Sequence, residues 1–328
     1  MKKVLYVLLG LIGIGGVAYV AGPKPNPPKV QEYSFDLPDD LIELEKQINE
    51  SEKAVVGLKP DNQARIIWAD TANKTKTKVA LVYIHGFSAS QEEGDPVASN
   101  LAKKFNANLY LARVAEHGLD LGDSTLKNFT ADKAIESAEK ALAIAKKLGD
   151  EVHIIGTSFG GALTLYLASK HPEIKTITLY SPCIAVFDKT AEILDNPWGL
   201  QIARQVRGSE FNDIKPKNET QPKYWSMHYR LEALVELQNL LTNLMTPETF
   251  ANVKCPTLLC YYYKDEENQD KVVSVPALLK MYDELGSTQK EKVAFPNANH
   301  HVLASYVLSE DWKGVQNKTE DFLAKYIK

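Results

Sequence analysis

Three cysteines in 328 residues (Cys183, Cys255 and Cys260) are too few for a disulfide framework or a four-thiolate zinc site. They read instead as small apolar residues. Glycine (18) and proline (16) stay at ordinary frequencies, which excludes a collagen-like or low-complexity chain. Positive charge is not in excess either: 38 Lys and Arg face 42 Asp and Glu, a formal charge of −4. Without a basic field nothing holds nucleic acid by its phosphates, so no nucleic-acid partner is expected. What the chain does have is 44% hydrophobic residues, enough to bury a large core.

One long uncharged run stands out. Met1-Lys2-Lys3 precedes 19 residues without a charge, from Val4 to Gly22. As a helix this run would span about 28 Å, close to the roughly 30 Å hydrocarbon thickness of a bilayer. Gly-Pro-Lys-Pro-Asn-Pro-Pro (22–28) then stops any helix and starts a stiff extended linker. A cleaved signal peptide competes with this reading. Cutting after Ala21, however, puts Tyr19 at the third position before the cut, and cutting after Gly22 leaves Pro23 as the new N-terminus. No Cys follows the run, so a lipoprotein-type anchor is excluded. The expectation is a membrane anchor over residues 1–22, a Pro-rich linker over 23–38 and a folded body over 39–328 outside the cytoplasm. If the segment is cleaved, that body is secreted. Gly13-Ile14-Gly15-Gly16-Val17-Ala18 matches the dinucleotide pattern G-x-G-x-x-A, but Pro23 stops a helix within two turns and no strand precedes it. Glycines in a membrane span explain it better, and no cofactor is implied.

Beyond residue 39, β-type runs alternate with helical patterns. Val79–Ile84 is apolar on both faces, as a central strand should be, and Ala131–Leu148 is rich in Ala, Lys and Glu at helical spacing. Further strands are expected at 65–69, 108–114, 151–155, 174–180, 257–263 and 291–295. The alternation lapses between Pro182 and Lys254, where Leu234, Leu237, Leu241, Leu244 and Met245 form one helical stripe, and then resumes. The pattern predicts an α/β fold: a mostly parallel central sheet with helices on both faces, interrupted by a helical insertion at about 183–254.

The strand 151–155 runs into Gly156-Thr157-Ser158-Phe159-Gly160-Gly161 and then a helix. This is G-x-S-x-G in the strand–turn–helix setting that presents a serine nucleophile. The nucleophile occupies a strained turn, and Cβ atoms two residues to either side would collide with the neighbouring strand and helix. Upstream, Val79–Ile84 ends in His85-Gly86-Phe87. Two backbone N–H groups, of Phe87 in that loop and of Phe159 after the serine, can together hold a developing oxyanion. His85 belongs to that side and braces the loop.

With these two motifs the chain resembles the α/β-hydrolase family, nearest the branch of monoacylglycerol lipases, bacterial carboxylesterases and serine aminopeptidase-like hydrolases. The resemblance covers roughly residues 60–328 and includes the insertion after the strand that follows the serine. It implies that the acid follows the strand after the insertion and the base follows the last strand. Those places hold Asp265-Glu-Glu-Asn-Gln-Asp270-Lys-Val-Val-Ser and Asn297-Ala-Asn-His300-His301-Val. Asp265 lies closer to its strand. Asp270, in an Asp-x-Val-Val-Ser run leading into a helix, better matches the family segment and is the preferred acid, with Glu266 and Glu267 as remaining alternatives. Among seven histidines, His301 is the expected base, because the family places an apolar residue after it. His117 resembles the family's structural histidine. The His300–His301 pair has no acid at ligand spacing, so no metal is expected.

The resemblance implies a serine carboxylic-ester hydrolase working through an acyl-enzyme on a small-molecule acyl ester. Ser158, His301 and Asp270 would act in concert. Trp225, Met227 and Tyr229 in the insertion are candidates to line an apolar acyl pocket beneath a lid. Two other readings stay open: an amide or peptide hydrolase, which would need insertion acids to bind a free amine, and a non-catalytic scaffold that kept the fold.

Overall fold

The structure is a computed structural model and describes residue 16 and residues 18–328. Most of the uncharged run, and the glycine pattern within it, therefore lies outside the described residues. Among the described residues no helix is long and apolar enough to cross a membrane.

The body opens with helix α1 (Leu41–Lys53), whose N-terminus is capped by Asp40 and whose Leu44 and Ile48 face inward at helical spacing. Seven strands then form one sheet: β1 (Arg65–Ile67), β2 (Thr77–Ile84), β3 (Asn108–Leu111), β4 (Gly149–Thr157), β5 (Thr176–Tyr180), β8 (Thr257–Tyr261) and β9 (Lys290–Ala294). Their order is β1-β3-β2-β4-β5-β8-β9. Only β1 pairs antiparallel, with β3; the other five pairings are parallel. The expected parallel sheet is thus present. Alternate side chains of β2 divide between two cores: Ala80, Val82 and Ile84 on one face, Val79, Leu81 and Tyr83 on the other. Helices α3 (Ala131–Leu148) and α4 (Phe159–Lys170) cover the first face, and α2 (Val97–Lys104) and α10 (Trp312–Leu323) the second.

Between β5 and β8 the chain leaves the sheet. This insertion holds α5 (Gly199–Arg207), a two-stranded ribbon of β6 (Phe211–Asp213) and β7 (His228–Arg230), α6 (Gln221–Tyr224), α7 (Glu232–Leu244) and α8 (Pro247–Asn252). Leu237, Leu241 and Leu244 of the stripe pack into the larger core, which fastens α7 to the body. Helix α9 (Val275–Glu284) links β8 to β9. The three cysteines are free; Cys183 and Cys260 are buried, while Cys255 is half-buried and precedes β8, so it does not share that strand with Cys260.

The residues read as a linker lie along the insertion. The Trp198 backbone N–H donates to the Pro23 carbonyl at 2.9 Å and its indole N–H to the Ala18 carbonyl at 3.0 Å. The Asn239 side chain donates to the Asn26 carbonyl at 2.8 Å, and the Lys29 N–H to Asp132 at 2.7 Å.

Candidate active site

Four strand ends converge. Ser158 follows β4, Phe87 lies in the loop three residues past the end of β2 at Ile84, Asp270 lies in the loop after β8, and His301 lies after β9. Parallel strands point their carboxyl ends to one edge of the sheet, which is where loops of an open α/β sheet assemble a site.

Ser158 sits at φ 53°, ψ −115°, a conformation that few non-glycine residues adopt. Neighbours lock it there. Its N–H donates to the Tyr180 carbonyl at 2.8 Å, and its carbonyl accepts the Cys183 N–H at 2.8 Å. The flanking glycines are obligatory for the reason expected. A Cβ at Gly160 would fall 2.0 Å from the Ile84 carbonyl oxygen, and one at Gly156 would fall 2.3 Å from Thr164 Oγ1. The turn therefore presses directly against β2 and against its own helix.

His301 Nδ1 bonds Asp270 Oδ2 at 2.6 Å, and both side chains are buried. The second carboxylate oxygen of Asp270 accepts the Val272 and Val273 N–H groups at 2.8 and 3.0 Å. Burial alone would raise the Asp270 pKa, but the imidazole and the two amides outweigh it and hold the carboxyl below its usual range. For His301, burial pulls the pKa down while the Asp270 charge and hydrogen bond push it up; the net shift is upward. Its Nε2 is buried and has no hydrogen-bond partner among the described residues, and the ring lines the same cavity as Ser158. Asp265 is elsewhere. It is exposed and caps its own turn, accepting the Glu267 and Asn268 N–H groups at 3.0 and 2.7 Å. Adjacent His300 is held neutral by burial, with its pKa lowered to about 4, and accepts the Val302 N–H at 3.0 Å.

The Phe87 and Phe159 N–H groups make no hydrogen bond among the described residues, and Phe159 opens α4, where an unpaired N–H is inherent to a helix start. His85 bonds the Gly86 carbonyl through Nδ1 at 2.8 Å and accepts the Val114 N–H on Nε2 at 3.0 Å. Gly86 C=O and Phe87 N–H belong to one peptide unit, so this bond sets where the Phe87 N–H points. His117 packs its ring on His85 and Phe87, and burial lowers its pKa to about 3, so it is a neutral wall of the loop.

A largely apolar cavity of about 790 Å³ opens on Ser158 and His301. Phe87, Ile202, Val206, Leu234 and Leu237 line it together with Trp225 and Tyr229. Met227 does not line it. Trp225 follows α6 as its extended C-cap, and Ser226 is tied by its N–H to the Ser88 carbonyl at 2.7 Å. Met227 packs outside, beside Ala89, Trp225 and Val302. Sequence reading also overlooked two residues at the centre. Cys183 lines the cavity behind Ser158, and Glu93 is buried beside the oxyanion loop. Nothing in the run Gln91-Glu92-Glu93 distinguishes a buried acid from a surface pair.

A family model described as the alpha/beta hydrolase family matches residues 81–312. The chain belongs to the alpha/beta hydrolase family. This hydrolase is similar to the thermostable monoacylglycerol lipase of Bacillus sp. (strain H-257), with 26% identity over 248 residues, covering 76% of this chain and 91% of that protein. Among solved structures it resembles a metagenome-derived lipolytic enzyme (TM-score 0.64, 19% identity, 82% of this chain and 99% of the other). It also resembles the monoacylglycerol lipase of Paleococcus ferrophilus (TM-score 0.59, 14% identity, 80% and 98%). At such identities the structural likeness is one of fold.

Proposed function

We propose that this alpha/beta hydrolase is a serine carboxylic-ester hydrolase that acts through an acyl-enzyme. The observation that carries the reading is the Asp270–His301 pair facing the same apolar cavity as a serine held in a strained turn. Ser158 is unreactive at its free pKa, so His301 Nε2 takes its proton as Oγ attacks the acyl carbon. Asp270 holds Nδ1–H, fixes the tautomer and stabilises the imidazolium. The Phe87 and Phe159 N–H groups receive the oxyanion. His301 then protonates the leaving alcohol, and water, activated by the same imidazole, releases the acid. The lipase and esterase relatives support an ester substrate, and the apolar lining supports an acyl chain of medium length.

The cavity's charged lining disfavours a free-amine substrate. Lys215, Lys217, Lys271 and Arg207 outnumber Asp188 and Glu93 there, opposite to what an ammonium group needs. In the same proposal residues 1–22 hold the enzyme at a membrane with its body outside the cytoplasm. Support comes from the uncharged run, and from the exposed apolar side chains of Ile193, Ile202 and Val206 at the cavity rim. A series of p-nitrophenyl esters from C2 to C16, beside aminoacyl-nitroanilides, tests the chemistry. Turnover of esters with a maximum at intermediate chain length is expected; faster turnover of the nitroanilides would transfer the enzyme to the amide class.

A further inference from the structure

Glu93 ends up where a carboxyl is hard to keep. It lies in the short 3₁₀ turn Gln91–Gly94, is 2% exposed, and lines the cavity with Ser158 and His301. No Lys or Arg is among the groups that act on it in the described residues. Burial pushes its pKa up to about 7, against the Gly86 N–H, the neighbouring His301 and the Tyr83 and Trp225 donors, which lower it. An unpaired acid in such a place is costly. The proposed chemistry has no use for its charge, since an anion beside a developing oxyanion opposes the reaction.

Its hydrogen bonds give it a different use. Glu93 Oε2 accepts the Gly86 N–H, in the loop that presents the Phe87 N–H. The Tyr83 hydroxyl donates to the same oxygen at 3.3 Å and accepts the Thr157 hydroxyl proton, its oxygen lying 2.9 Å from Thr157 Oγ1. Thr157 immediately precedes Ser158, in the turn that presents the Phe159 N–H. A Cβ built on Gly86 would meet Glu93 Oε1 at 2.8 Å and Ser158 Cβ at 3.1 Å, so carboxyl, loop and nucleophile turn crowd one point. His85 holds the Gly86 carbonyl; Glu93 holds the peptide unit before it.

We propose that Glu93 is a positioning residue of the oxyanion hole: its carboxyl ties the Phe87 loop, through Gly86, to the Phe159 turn, through Tyr83 and Thr157. The proposal rests on reading Ser158 as nucleophile. The spacing between the two donors, rather than either donor alone, is what the network sets. Gly86 could not carry a side chain without displacing that carboxyl.

Steady-state kinetics of Glu93→Ala and Glu93→Gln on a p-nitrophenyl ester, with thermal melts and Ser158→Ala alongside, test it. Glu93→Ala should fold and lose about 10²-fold in kcat, comparable to the loss of one oxyanion donor, with KM changed less than about threefold. Glu93→Gln, whose amide oxygen accepts the same N–H, should recover to within about tenfold of the parent. A folded Glu93→Ala with kcat within about threefold of the parent overturns the proposal. So does Glu93→Gln as impaired as Glu93→Ala, which would make charge rather than the acceptor decisive. If Glu93→Ala does not fold, Tyr83→Phe carries the test by cutting the Thr157 arm. A several-fold fall in kcat at constant KM is then expected, and an unchanged kcat overturns the proposal. Ester hydrolysis surviving in Ser158→Ala would instead sink the nucleophile reading beneath it.

Discussion

The acid partner of His301 is decided within five residues of chain. Asp270 has the imidazole on one oxygen and two amides on the other, while Asp265 spends its oxygens on its own turn. Asp270→Asn should lower kcat by roughly 10²–10⁴-fold by favouring the wrong His301 tautomer, and Asp265→Asn by less than about fivefold; the reverse ranking would reassign the acid. The same pair sets the pH profile. His301 must be neutral to accept the serine proton, and its pKa lies above the ordinary 6.5 because Asp270 outweighs burial. Activity should therefore fall as pH drops through a value above 6.5, and Asp270→Asn should move that limb to lower pH. An acidic limb well below 6 in the parent enzyme would contradict this. Ser158 itself stores strain, on the order of 1–3 kcal/mol for such a backbone. Ser158→Gly should abolish turnover and yet raise Tm by about 2–4 °C, a gain of order 1 kcal/mol; a melt below the parent's would show the turn to be unstrained.

Elements matter through how closely they approach. Helix α4 starts so near β2 that Gly160 touches the Ile84 and His85 carbonyls. An added methyl there meets backbone on a central strand, which cannot step aside as a flexible side chain would. Gly160→Ala should lower stability by more than about 2 kcal/mol and reduce kcat/KM by 10²-fold or more, because the Phe159 N–H moves with the helix. Near-parental activity and melting would mean that β2 and α4 are less tightly apposed. The insertion is fastened differently. Its stripe reads as core packing for Leu237, Leu241 and Leu244, whereas Leu234 and Leu237 also reach the cavity, so one helix serves as wall and as anchor.

For the whole molecule, the N-terminal segment is the part whose role reaches beyond the site. Pro23 and Asn26 bond to Trp198 and Asn239 of the insertion and Lys29 bonds to Asp132 of α3, so the segment straps the insertion and the body together. A chain beginning at Gly22 should be recovered without membranes and melt like the parent, since these bonds remain. A chain beginning at Gln31 should also be recovered without membranes but melt several degrees lower. Full-length protein should fractionate with membranes. Its appearance in the soluble fraction with an intact N-terminus would remove the anchor, and equal melting of the two shortened chains would remove the strap.

Much of this protein is legible in its amino-acid sequence alone. Strand–helix alternation carries the parallel sheet, because side-chain period and run length are properties of contiguous residues. Gly156-Thr-Ser158-Phe-Gly160 carries the strained turn, because the steric demand falls on residues two apart in the chain. His301 and the order Ser, Asp, His follow from family resemblance to short motifs. Other features depend on groups far apart in the chain meeting across strand ends. Asp270 is favoured by the Val-Val-Ser and helix that follow it, but its burial against the imidazole, while Asp265 stays exposed, belongs to the packing of the loops after β8 and β9. Met227 lies outside the cavity lining because it packs against Ala89 and Val302, which are distant in the chain. Glu93 carries no mark of burial in its own run until β2 and its following loop fold over it, and the Pro-rich segment reads as a linker until Trp198 and Asn239 hold it. Local backbone geometry is written in adjacent residues; burial and partnership of polar groups are set by sheet order and packing, which no short window contains.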